Sequence, residues 1–389
     1  MDSTALGSEP KTSRVRPDFE RIALLLQGGG ALGSYQAGVY QALAEANLHP
    51  QWVAGISIGA INSALIAGNP PEQRVARLRE FWETITQGPL GLTYIAPPDI
   101  KNDLMHQLVN QTRAVGALLW GAPGFFQPRV PPPVFLPISS PGNLSYYDIG
   151  PLKSLLGRLV DFDRLNSGQT RLSVGATNVR TGNLTIFDSI DKKIGPEHIM
   201  ASGSLPPGFP ATEIDGEYFW DGGVVSNTPL QWVLDASPRL DTLAFQVDLW
   251  SARGELPRDM IEVDTRLKDI RYSSRTRMGT DQFRKIQSLR RAMAKLVSQL
   301  PEDVRHTPEA KLLASEADNK VYNIVHLIYR AQIYEGASKD YEFSRRTMEE
   351  HWKSGHSDMK RTLAYPEVLE RPTSMDGVFT FDLKQKVNE

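Results

Sequence analysis

Cysteine is absent from this chain of 389 residues. Its absence excludes disulfides, thiolate catalysis and cysteine-ligated metals, and it fits a reducing compartment. An excess of one charge is also missing: 43 basic residues stand against 45 acidic ones, for a formal net charge of −2. That balance gives no global attraction to nucleic acid or to an anionic membrane. Long hydrophobic runs are lacking too. The apolar run Ile22–Leu26 is far too short to span a bilayer. The stretch Met1–Glu20 is polar, carries Pro10 and Pro17, and has no apolar segment of the kind a secretory signal needs. The sequence therefore predicts a soluble, cytoplasmic protein with a disordered tail over residues 1–20.

What is present is globular in kind. The hydrophobic share of 40% supports a large core, and the length fits two or three domains or one large α/β domain with an appendage. Ile22–Leu26 reads as a strand buried on both faces. Gly28-Gly29-Gly30-Ala31-Leu32-Gly33 follows, then a helix through about Ala46. Trp52–Ser57 reads as a second strand, Ile58–Ala67 as a second helix, and Pro70-Pro71 opens a third helix to about Thr86. This alternation predicts a parallel α/β sheet with right-handed crossovers.

Residues 88–147 are richer in proline, with Pro97-Pro98, Pro131-Pro132-Pro133 and others, interleaved with Leu118-Leu119-Trp120, Phe125-Phe126 and Val134-Phe135-Leu136. Two readings fit: a lid or channel for acyl chains, or an excursion packed on the surface. Regular pattern resumes with a helix over Leu152–Val160, strands over Arg171–Asn178 and Leu184–Asp188, and a short strand Tyr218–Trp220. A helix over Pro229–Asp235 and a strand over Leu243–Leu249 follow. Beyond residue 250 lies a mainly helical extension. There, Arg266–Lys295 holds ten Lys or Arg, as a solvated helix face or a surface for anionic lipid. Val321–Tyr329 reads as a buried strand rejoining the main sheet. A helix from Tyr341 is expected to stop near Gly355 as its C-cap.

Three short segments carry chemistry. Gly55-Ile56-Ser57-Ile58-Gly59 places a serine between glycines at a strand-to-helix turn, the pattern of a nucleophile elbow. Gly28–Gly33 matches a dinucleotide fingerprint, but that reading needs an acidic residue at the end of the second strand. Trp52–Ser57 contains none. The same glycines would instead offer backbone N–H groups to an oxyanion at a helix start. Asp221-Gly222-Gly223 places a carboxylate at a tight turn, either as an Asp-Gly turn or as a base for Ser57. None of the seven histidines sits in an evident catalytic motif, and a Ser-His-Asp arrangement through His326 is the weaker alternative.

In this order, Gly28–Gly33, Gly55–Gly59 and Asp221–Gly223 resemble the three motifs of the patatin-like phospholipase family, and Ala201–Pro210 resembles that family's segment before the aspartate. The resemblance covers about Ile22–Pro229. It implies a three-layer α/β/α sandwich with a mostly parallel sheet in a catalytic domain over 21–250. The extension over 251–389 packs on it. It also implies Ser57 as nucleophile, Asp221 as base and the Gly28, Gly29 and Gly30 amides as oxyanion hole, with Gly33, Gly55, Gly59, Gly222 and Gly223 shaping the turns. The substrate class implied is a lipid acyl ester. No cofactor, metal or nucleic acid is called for; a peripheral lipid-surface contact and a non-catalytic lipid-binding role stay open. Many family members carry a basic residue at the position of Leu32, so this chain turns expectation toward a neutral ester or a storage polyester. The segment Glu342–Met348 resembles the extension of a bacterial subgroup.

Overall fold

The structure, a computed structural model, describes residues 16–88, 103–133, 141–273, 276–331 and 333–383. The expected tail before residue 16, the segment Val134-Phe135-Leu136 and the pair Pro97-Pro98 lie outside the described residues.

Eleven strands form along the described chain: β1 Arg21–Leu26, β2 Trp52–Ile56, β3 Gln127–Pro128, β4 Tyr147–Asp148, β5 Arg171–Asn178, β6 Leu184–Asp188, β7 Thr212–Ile214, β8 Glu217–Asp221, β9 Thr242–Asp248, β10 Tyr322–Ile328 and β11 Val378–Asp382. Nine of them make one sheet in the order β11-β10-β9-β1-β2-β5-β8-β7, with β6 also paired to β5. The block from β11 to β5 is parallel, while β6, β7 and β8 pair antiparallel. Successive residues of a strand point to opposite faces. Along β1, Ile22, Leu24 and Leu26 therefore enter one core, and Ala23 and Leu25 enter another. Helices cover both faces. On the first lie α1 Ser34–Glu45, α2 Ile58–Ala67, α3 Pro71–Ile85 and the helix Arg345–Thr362; on the second, Leu230–Leu234 and Thr276–Ser298. The result is a three-layer α/β/α sandwich with a helical C-terminal region. No described helix is long and apolar enough to cross a membrane.

Three expectations change on contact with the structure. Within the proline-rich stretch, Asp103–Trp120 forms an 18-residue helix, α4. Its prolines flank this helix and are absent from it, so no proline interrupts the backbone of Asp103–Trp120. Gly355 does not end a helix, because Arg345–Thr362 runs through it. A Cβ on Gly355 would lie 2.0 Å from the Tyr35 carbonyl oxygen, and one on Gly38 would lie 1.9 Å from that of Trp352. The two glycines let α1 and this helix cross at backbone contact. Finally, the basic stretch Arg266–Lys295 is neither a free solvated face nor an open cationic surface throughout. Lys268 pairs with Asp340 at 3.0 Å, Arg284 with Asp376 at 3.2 Å, and Arg291 donates to the carbonyls of Asn319 and Met375.

Candidate active site

The register of β5 explains how Ser57 and Asp221 meet across the sequence. β2 runs along one edge of β5 until Ile56 stands opposite Gly175. β6 occupies the other edge. Past the end of β2, β8 takes over the first edge antiparallel, with Asp221 opposite Ala176. The elbow and the aspartate are therefore end to end on one strand edge. Thr177 and Ser204 fix the aspartate's backbone: Thr177 Oγ1 donates to the Asp221 carbonyl at 2.9 Å, and the Asp221 N–H donates to the Ser204 carbonyl at 2.9 Å.

Ser57 has φ 56° and ψ −124° immediately before α2. That left-handed backbone is strained for a residue with a Cβ and persists only where its surroundings hold it. Two contacts hold it here. The Ser57 N–H donates to Ser202 Oγ at 3.0 Å, and that hydroxyl donates on to the Gly175 carbonyl at 2.7 Å. The turn is also closed sterically, since a Cβ on Gly55 would lie 2.3 Å from the Gly59 carbonyl oxygen. The N-terminal end of α2 thus faces the serine with its dipole positive.

Asp221 is 2% exposed. Burial pushes its carboxyl up to about 6, against the opposing pull of the Ser57 hydroxyl and the Gly223 N–H, which stabilise the charged form. The Gly223 N–H donates to Asp221 Oδ1 at 2.7 Å. Among the described residues no histidine lines this cavity. His326 lies in β10 beside a different cavity with Tyr35 and Asp358, and burial pulls it down to about 4. The histidine alternative is corrected on that ground.

The glycine loop is braced from several sides. Gln36 Nε2 donates to the Gln27 carbonyl at 2.6 Å, and Trp250 Nε1 and Asn227 Nδ2 donate to the Gly28 carbonyl at 2.9 and 3.1 Å. The Gly28 N–H is itself spent on Asn227 Oδ1 at 3.2 Å. The Gly29 and Gly30 N–H groups have no partner among the described residues. Next to them, the Ala31 N–H donates to the Asp340 carbonyl at 2.8 Å. Gly30 has φ +55°, and a Cβ there would lie 2.1 Å from that same oxygen. The C-terminal region therefore closes directly on the loop. Tyr272 adds a second hold, its carbonyl accepting from Gln27 at 3.0 Å and from Asn227 at 2.9 Å.

These parts enclose a cavity of about 300 Å³. Ser57, Asp221 and the glycine loop form its floor. Its wall is aromatic: Phe125, Phe126, Tyr147, Phe209 and Phe343 lie in mutual edge or tilted contact, with centroids 4.9–6.2 Å apart. The lining contains Asp221 and Asp340 and no Lys or Arg, and the Asp340 carboxylate is paired with Lys268 at 3.0 Å. Leu32 does not line it; that side chain is fully buried in the core. Asn227, Ser202, Asp340 and Phe343 have no role that the sequence alone assigns. Asn227 leaves the one trace there, as a polar residue six positions after Asp221 in an otherwise apolar or small segment.

Comparison with known proteins places the chain in a family. The patatin-like phospholipase family matches residues 24–234, more than half of the chain. A second family, described as patatin phospholipase, matches residues 270–375. Among curated relatives, a triacylglycerol lipase SDP1L of Arabidopsis thaliana is 39% identical over 69 residues, covering 17% of this chain and 9% of that protein. A putative patatin-like phospholipase domain-containing protein of Caenorhabditis elegans is 36% identical over 74 residues, covering 17% of this chain and 7% of its own. The matched stretches are thus a tenth or less of those relatives' length. Among solved structures, VipD from Legionella pneumophila aligns over 94% of this chain and 72% of its own, at 15% identity and a TM-score of 0.40. The chain belongs to the patatin-like phospholipase family, a family of lipid acyl hydrolases.

Proposed function

We propose that this chain is a serine hydrolase of lipid acyl esters working through a Ser57–Asp221 dyad. One observation carries the reading: a buried carboxylate faces the hydroxyl of a serine whose backbone is held in the left-handed region at a helix start. Ser57 Oγ attacks the ester carbonyl carbon, and Asp221 accepts the hydroxyl proton. The Gly29 and Gly30 N–H groups receive the oxyanion, with Gly28 as their braced support. The tetrahedral intermediate expels the alcohol, which takes the proton from Asp221. Water then attacks the acyl-enzyme, gives its proton to Asp221, and releases the carboxylic acid as the proton returns to Ser57. A carboxyl near pH 6 is a far better base than an ordinary aspartate, which supports its use without histidine.

The buried Asp221 carboxyl and the lack of Lys or Arg in the lining favour a neutral ester, such as an acylglycerol or a storage polyester, over one whose anionic headgroup must enter. Leu118, which lines the cavity, is 42% exposed, and its neighbour Leu119 is 64% exposed. Exposed apolar side chains of this kind support peripheral contact with a lipid surface. The test is labelling by a fluorophosphonate probe together with hydrolysis of p-nitrophenyl esters, acylglycerols and phospholipids. Wild type is expected to label and to turn over neutral esters fastest. Equal labelling and turnover by Ser57→Ala would end the reading.

A further inference from the structure

Phe343 stands between two cavities. It lines the Ser57 cavity, and it also lines a second one of about 430 Å³ between the end of α3, the C-terminal half of α4 and the start of the helix Arg345–Thr362. Gly116, Ala117, Trp120 and Ala122 give the second cavity a largely carbon surface. Its arginines are already engaged. Arg345 donates to Thr86 Oγ1 at 3.1 Å and to the Glu83 carbonyl at 2.6 Å, Arg346 pairs with Glu350 at 2.8 Å, and Arg113 reaches Ser344 Oγ at 3.5 Å. An anion would have to compete with those partners, whereas an alkyl chain would leave them in place.

We infer that the second cavity is a distal acyl compartment, receiving the methyl end of a long acyl chain whose ester carbonyl sits at Ser57, with Phe343 as the specificity-determining gate. This inference rests on the proposed reaction at Ser57. The gate's backbone is fixed on both sides. Glu342 is 2% exposed and accepts from the Ser344 N–H and hydroxyl, both at 3.1 Å, while Ser344 Oγ caps the following helix by accepting the Thr347 N–H at 3.4 Å. The Phe343 ring, by contrast, is held by ring contacts alone, at 5.7 Å from Phe125 and 6.0 Å from Phe126. Rotating it breaks no hydrogen bond, so a chain pressing from the Ser57 side moves a side-chain torsion rather than the backbone. The segment Glu342–Arg346 thereby carries the partition between the two cavities.

The test compares kcat/KM for p-nitrophenyl palmitate with that for p-nitrophenyl butyrate. Phe343→Ala removes the partition, and the palmitate-to-butyrate ratio is expected to rise about tenfold. Gly116→Phe fills the compartment from its far side; an added Cβ there meets no atom within 4 Å, and glycine is a poor helix residue, so the helix tolerates the change. Its ratio is expected to fall about tenfold. The double variant is expected to lose the gain of Phe343→Ala, as two changes in one compartment must couple. Binding of a fluorescent long-chain fatty acid to the Ser57→Ala protein gives a readout without turnover, and Gly116→Phe is expected to weaken it about tenfold. Ratios and probe affinity unmoved by Gly116→Phe would overturn the compartment while leaving the hydrolase intact. Absence of ester turnover in wild type would instead sink the hydrolase, and probe affinity alone would then decide the compartment.

Discussion

The floor of the Ser57 cavity comes from three backbone turns, whereas its wall comes from side chains drawn from four separate segments. On the floor, Gly28–Gly30, Ser57 and Asp221 are held by hydrogen bonds to main-chain atoms: Ser202 to Gly175, Asp340 to Ala31, Ser204 to Asp221. On the wall, Phe125, Phe126, Tyr147, Phe209 and Phe343 are held by one another's rings. A network of buried hydrogen bonds has few alternative arrangements, while ring contacts exchange at little cost. The contrast assigns the chemistry to the rigid part and substrate choice to the adaptable part.

The severest test of the floor is Asp221→Asn. Removing the base while keeping the Gly223 contact is expected to lower kcat on the order of 10⁴-fold, as for other displaced catalytic carboxylates. In wild type the charged form acts as the base, so activity is expected to rise with pH through about 6 and to flatten above it. A profile flat across that range would separate Asp221 from the proton transfer. Gly30→Ala comes next. Its positive φ and the Asp340 carbonyl leave no room for a methyl group, so the loop must shift and misplace an oxyanion donor. A fall of about 10²- to 10³-fold in kcat is expected, with KM nearly constant. A change in KM alone would remove Gly30 from the floor.

Asp221→Asn also has a stability side, with the opposite sign. A carboxyl whose folded value lies near 6 and unfolded value near 3.8 binds its proton more tightly in the folded state. Stability therefore falls as pH rises across that window, and above it the charged, buried group costs about 2–3 kcal/mol. The asparagine variant is expected to be more stable than wild type by that amount near neutral pH and equal to it below about pH 4. Chemical unfolding at both pH values measures this. A variant less stable at neutral pH would mean that the carboxylate's charge supports the fold.

The same division governs what can be read from the sequence. The floor is legible because turns demand particular residues. A serine between glycines, a triple glycine after an apolar run and Asp-Gly-Gly each mark a backbone shape, and the first strand beside them is an unbroken apolar run, Ile22–Leu26. The spending of the Gly28 N–H on Asn227 is not legible, because it joins residues 199 positions apart through a side chain any loop could hold. β11 escapes notice for a similar reason. Val378–Asp382 is short and mixed in burial, and only its pairing with β10 makes it a strand. Nor can Gly355 be told from a helix stop, since a glycine at a helix crossing and one at a C-cap look alike until the partner helix is known. The wall leaves a partial sign: Phe125-Phe126 stand out in the proline-rich stretch, but aromatic residues in loops do not announce which neighbours they will meet.

The smallest expected effect is the one that bears most directly on the contrast between floor and wall. Phe209 sits at the centre of the wall, with ring centroids 5.3 Å from Phe126, 5.8 Å from Phe125 and 6.2 Å from Tyr147. Its N–H donates to the Leu205 carbonyl at 2.9 Å, and that backbone bond survives any side-chain change. Phe209→Leu keeps the volume broadly apolar while removing three ring contacts. If the wall only selects substrate, the loss is shared by ground state and transition state, and KM for a long acyl ester is expected to rise up to about tenfold with kcat unchanged. If kcat falls instead, the rings are holding the floor turns in place, and the rigid and adaptable parts are one structure. Gly30→Ala and Phe209→Leu thus make a matched pair, one expected to move kcat alone and the other KM alone, and a mixed result in either variant locates the contact through which floor and wall communicate.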